Sequence, residues 1–324
     1  MEKIREKRGE KGTGEKRSED IHKQWKLARL KKELRARLDH PEYGSGEDSE
    51  SQLQAYMSQS GRWVDAWKKG FVPSVDVGSL GLLYQRQGAF AVLDGDEAGW
   101  QRLALGTLYA LRATQFYLVR QDRIFKETNR AHFGFEDACR LLAQHFALGW
   151  NKQAHRYGRW LITSSMAGYY FDSEDYYRNC ANWFYLRLFA DSVGASDVDW
   201  PPHSKTVPEY EVLLNHWRTD SIDSLLPHLT TACDRHTHEC FSRSSDESKR
   251  LDFADDAIMG WPIEIHMILR LRSELGLANP EIDHQLMQTG LGRMPEPLPL
   301  VPDELLEALT AKACEIYPEL GERL

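Results

Sequence analysis

Strict alternation of apolar and polar side chains, the mark of a half-buried strand, is almost missing from this 324-residue chain. With it go the loops that α/β enzymes mount on strands: there is no G-x-S-x-G, no Walker loop, and no G-x-G-x-x-G behind a strand. Neither H-E-x-x-H nor C-x2-C occurs, so the tight paired-ligand spacings of zinc sites are missing too. No apolar run approaches the ~18 residues of a membrane span. The N-terminal stretch MEKIREKRGEKGTGEKRSED has no apolar centre of the kind a secretion signal carries. Cysteine is sparse: Cys139, Cys180, Cys233, Cys240 and Cys314 are odd in number and mostly sit in apolar periodic segments, which suits a reducing compartment rather than a disulfide scaffold. These absences predict a cytoplasmic protein that needs no membrane, no cofactor and no disulfide.

Positive charge is scarce outside the N-terminus. Met1 to His40 holds 14 Lys and Arg against 8 Asp and Glu; the rest of the chain holds 27 against 41, so an arm at +6 precedes a body at −14. An acidic body disfavours direct nucleic-acid binding and favours a basic partner. Residues 1–48 read as a charged, largely disordered arm with a helix over 21–38 (IHKQWKLARLKKELRARL), closed by the Pro- and Gly-bearing DHPEYGSGEDSES.

What is present is helical periodicity. Over 49–324 apolar and aromatic residues recur at i, i+3 and i+4, and the expected fold is all-α, a multi-helix bundle or stacked helical hairpins. Leu103 to Val119 and Phe135 to Leu148 read as core helices, and the turn at Gly149 folds the second back onto Lys152 to Ala167. Ser173 is a suitable cap for the next helix, whose stretch YYRNCANWFYLRLFADS is apolar nearly all round and therefore central. The strongest interior break is VGASDVDWPPHSK, residues 193–205, where a division into two lobes is expected. Near the C-terminus the four prolines of MPEPLPLVPDE predict an extended surface segment before a last helix from Asp303 to Ile316. The aromatic clusters GRWVDAW and NWFYLRLF keep helical spacing, which assigns them to packing rather than base stacking.

The densest ligand-type chemistry is TACDRHTHECF, Thr231 to Phe241. With Ser224 as N-cap and Pro227 in the first turn, a helix Leu225 to Phe241 follows; Leu225, Leu229, Cys233, His236 and Cys240 then form one stripe. Asp234, Arg235, His238 and Glu239 fall on the other side, as a solvated face would. Cys233, His236 and Cys240 would supply three zinc ligands to a metal-dependent enzyme, yet free cysteine and a satisfied histidine also pack as core, and the spacing favours core.

One segment carries a resemblance. Asp252 to Met287, DFADDAIMGWPIEIHMILRLRSELGLANPEIDHQLM, resembles the C-terminal signature of helical immunity proteins of bacterial polymorphic-toxin and type VI secretion systems, PoNe-type DNase immunity proteins among them. The matching residues are Trp261, Pro262, Glu264, Ile265, Leu271, Leu275, Gly276, Leu277 and Pro280. The resemblance implies a non-enzymatic protein that neutralises a cognate toxin, a nuclease by the charge argument, by covering its active surface. The densest acidic stretch near the signature, Asp246, Glu247, Asp252, Asp255 and Asp256, with Glu264, is the expected contact surface. A tetratricopeptide-like adaptor is the alternative, suggested by the hairpin LAQHFALGWNKQAHRYGRWL, although no fixed period repeats.

Overall fold

The computed structural model describes residues 25–39, 46–66, 69–124, 134–167, 180–195, 197–204, 206–240 and 251–321. Among them are eleven α-helices and no strand: α1 Leu27–Asp39, α2 Gly46–Met57, α3 Ser74–Leu93, α4 Gly99–Ile124, α5 Phe135–Ala147, α6 Asn151–Met166, α7 Cys180–Ser192, α8 Pro208–His216, α9 Ile222–His238, α10 Ile263–Glu274 and α11 Glu304–Ile316. The all-α expectation holds. The expected cap at Ser173 lies outside the described residues, as does the 21–24 portion of the N-terminal helix.

Glycine spacing decides how α3 and α4 meet. A Cβ on Gly88 would stand 2.4 Å from Leu103 N and 2.6 Å from Gly99 O, and one on Gly106 would stand 2.6 Å from Gln85 N. Contacts that move up one helix as they move down the other make the pair antiparallel, with backbone against backbone where any side chain would intervene. Helix α1 lies on α3, with Trp25, Leu30 and Leu34 buried; Leu30 fills the place a side chain on Gly260 would take.

The centre is built by α5, α7 and α10, which contact one another. Residues Ala181–Leu186, Leu188, Phe189 and Ala190 of α7 are buried, as its all-round apolar pattern predicts. Gly149 turns α5 into α6 with φ +77°, a left-handed conformation that glycine adopts without strain. Tyr157 Oη donates to Ala138 O at 3.1 Å, fastening the hairpin.

The interior break contains a 3-10 turn, Pro202–Ser204, with Trp200 edge-on to Trp183 and an Arg187–Glu211 ion pair crossing it. The proline-rich segment runs extended as predicted: Leu298 N donates to Leu148 O at 3.0 Å and Trp150 Nε1 donates to Leu298 O at 2.9 Å. Asp303 then caps α11, accepting from Leu306 N at 2.9 Å and from Tyr109 Oη at 2.8 Å.

Candidate functional site

Helix α9 begins earlier than expected. Ser221 is the N-cap, its hydroxyl accepting from Ser224 N at 3.2 Å, while Ser224 Oγ turns back onto Ser221 O. Pro227 therefore lies inside the helix rather than in its first turn and deprives the Asp223 carbonyl of its usual donor. The helix closes at His238; Cys240 lies beyond it, and Phe241 is outside the described residues.

The apolar stripe is as predicted. Leu225, Leu229, Cys233, His236 and Cys240 are all fully buried. His236 Nδ1 is 2.7 Å from Glu264 Oε1, and Nε2 is 3.3 Å from Met259 O. Both ring nitrogens therefore face acceptors, an arrangement that only the doubly protonated imidazolium satisfies. Burial alone would depress its pKa; the Glu264 carboxylate outweighs that and raises it to about 10. Phe253 stacks on the ring at 4.1 Å. The Cys240 thiol donates towards His236 O and Met259 O at 2.9 and 2.8 Å, and burial followed by the charge of Glu264 pushes the Cys233 thiol well up. These contacts use the lone pairs and protons that zinc ligation needs free, so the geometry is that of a proton held in the core. No group of three or more metal-type ligands occurs among the described residues.

The face opposite the stripe is not solvated, which corrects the sequence expectation. Asp234, Arg235, His238 and Glu239 are all half-buried. His284 Nε2 lies 3.1 Å from Asp234, and Arg235 Nη2 donates to Asp252 Oδ2 at 2.5 Å. Segments arriving from elsewhere in the chain cover what a helical wheel leaves open.

The acidic stretch is corrected in the same way. Asp256 is 5% exposed and pairs with Arg37 of α1 and, at 2.6 Å, with Arg86 of α3. Asp252, 6% exposed, receives Arg235 of α9 and the backbone N–H of Cys180 at the start of α7. Asp255 pairs with Arg140 of α5 at 2.8 Å and accepts from Ala257 N, keeping 28% of its side chain exposed. Glu264 is fully buried on His236. Among the described residues Asp252, Asp256 and Glu264 are thus internal; Asp246 and Glu247 lie outside the described residues.

The residues that sequence reading missed are the guanidinium partners. Arg86 and Arg140 sit on otherwise apolar helix faces, in LGLLYQRQGAF and DACRLLAQHFAL, where a charge signals an internal pair. Around Glu264 the polarity is not fully met: Glu264 Oε2, Tyr185 Oη and Tyr210 Oη find no partner among the described residues. Both tyrosines are pushed far up by burial and then by the charge of Glu264. Downstream, Trp261 Nε1 donates to His266 Nδ1 at 3.2 Å, which fixes the proton on Nε2, where it donates to Gly292 O at 2.9 Å.

No helix among the described residues is long and apolar enough to cross a membrane. No family model, curated protein or solved structure matches this chain.

Proposed function

We propose that the protein is a non-enzymatic immunity protein that neutralises a cognate cytoplasm-acting toxin, a nuclease in the strongest form of the reading, by covering its substrate-binding surface. The observation that carries this is the resemblance of Asp252 to Met287, together with the construction of that segment as one unit. Trp261 is buried on His266, Pro262 is the N-cap of α10, Glu264 holds His236, and Gly276 leaves the helix at φ +71°. A signature of this kind marks a scaffold, and contact then belongs to groups that reach solvent. Asp255 retains that access, and the −14 body offers further exposed carboxylates such as Asp96, Glu97 and Glu281. A nuclease carries positive charge where phosphates bind, so an acidic surface speeds association and competes with substrate.

The test is co-expression with the product of the gene immediately upstream, followed by co-purification and an association-rate series in salt. The reading expects protection of the host cell, a stable complex, and an on-rate that falls as salt rises. No complex and no protection with either neighbouring gene product would remove it.

A further inference from the structure

A cavity of about 270 Å³ opens between α3, α4 and α5. Its inner end is formed by two glutamines, its walls by Leu82, Leu141, Ala110 and Ala113, and its rim by Asp137 and Arg140. The inner end holds an unspent hydrogen-bond donor. Gln85 Nε2 is taken up by Thr107 Oγ1 at 3.2 Å and Gln144 Oε1 at 3.4 Å, but Gln144 Nε2 finds no partner among the described residues, although Gln144 is only 1% exposed. A buried amide left so is destabilising unless something arrives to accept from it.

A second observation concerns Gly78, which lines the same cavity. Gly81, Gly88 and Gly106 are required by close approach of α3 and α4, whereas a Cβ on Gly78 would meet only Ala113 Cβ, at an ordinary 3.5 Å. A glycine inside a helix is destabilising relative to alanine. Packing does not require this one, and its effect is to leave the cavity wide. The rim is already compensated, because Arg140 is paired with Asp137 and Asp255. An ionised ligand would therefore have to break an existing pair, and a neutral one would not.

We propose that this cavity binds a small uncharged carbonyl compound, a ketone or amide, whose oxygen accepts from Gln144 Nε2 and whose apolar body packs against Leu82 and Leu141. This site is independent of the immunity reading and would stand or fall without it. The test titrates the full-length protein, by NMR of the glutamine side-chain amides, with acetophenone and with α-methylstyrene, which replaces the carbonyl oxygen by CH2 at nearly constant shape. Acetophenone is expected to bind roughly 3- to 10-fold tighter, the worth of one net hydrogen bond, and to shift an amide pair that disappears in Gln144→Met. Gln144→Met should bind the two probes equally, and Gly78→Leu, which fills the cavity with a better helix former, should bind neither. Failure of acetophenone to bind at millimolar concentration, equal affinity for both probes in the unsubstituted protein, or unchanged affinity in Gly78→Leu would each overturn the proposal. The comparison within the unsubstituted protein decides even where a variant fails to fold.

Discussion

At the scale of single residues, three buried histidines hold their protons differently, and each difference is set by what faces the ring. His236 has an acceptor at each nitrogen and is charged, its pKa raised to about 10. In the unfolded chain it titrates near 6.5, so its stabilisation is complete below that pH and is lost as pH rises through about 10. Glu264→Gln should remove this alkaline loss from urea-unfolding curves and cost about 3 kcal/mol or more at neutral pH, because it strands a buried pair. His145 is the opposite case: neither nitrogen finds a partner among the described residues, and burial lowers its pKa to about 3. His266, also lowered by burial, to about 4, has its two bonds to Trp261 and Gly292. Both remain neutral while the unfolded chain takes up protons, so stability falls as pH drops from about 6.5 towards 4. His145→Leu should be neutral or stabilising at pH 7 and weaken that acid limb. His266→Leu should cost about 2 kcal/mol instead, since it orphans a buried N–H and a buried carbonyl. Equal effects of the two substitutions in chemical denaturation would contradict the partner assignment.

At the scale of elements, periodicity made most helices legible, because an amphipathic stripe is written locally. Leu103 to Val119 lies within α4, Phe135 to Leu148 matches α5 to one residue, and the last helix, expected from Asp303, starts at Glu304 with Asp303 as its cap. At α9 two serines, Ser221 and Ser224, stand where a cap could form, and it is Ser221 whose hydroxyl accepts from Ser224 N. The sequence also hid why α3 contains so many glycines, since composition does not tell a close approach from an open space. That distinction gives a paired prediction. Gly88→Ala places its Cβ 2.4 Å from the backbone of Leu103 and should destabilise by several kcal/mol despite alanine's better helix propensity. Gly78→Ala meets nothing closer than 3.5 Å and should stabilise by about 0.5–1 kcal/mol. Thermal unfolding of both variants measures it, and a shift of the same sign in each would show that the α3–α4 spacing is wrong.

At the scale of the whole molecule, the loop of residues 251–260 gathers the helices through its carboxylates. Asp256 reaches α1 and α3, Asp255 reaches α5, and Asp252 reaches α7 and α9. In sequence, the carboxylates of LDFADDAIMG read as a contact surface, because nothing within the stretch announces that its counter-ions lie on helices far away in the chain. This changes what charge reversal tests. Asp252→Lys with Asp255→Lys and Asp256→Lys would set new cations against Arg235, Arg140, Arg37 and Arg86, so the triple variant should fail to fold rather than merely bind a partner more slowly. Asp256→Asn alone should cost about 3 kcal/mol or more, since it breaks a buried ion pair with Arg86, and the first amides to gain hydrogen exchange should be those of α1, which loses its Arg37 anchor. Replacing the pair together, Arg86→Met with Asp256→Leu, should recover much of the loss, because a packed apolar pair is not penalised as a stranded charge is. If Asp256→Asn instead left stability and α1 exchange unchanged while weakening capture of the proposed partner, Asp256 would have to reach the surface, and the loop would be the contact face rather than the clamp that shapes it.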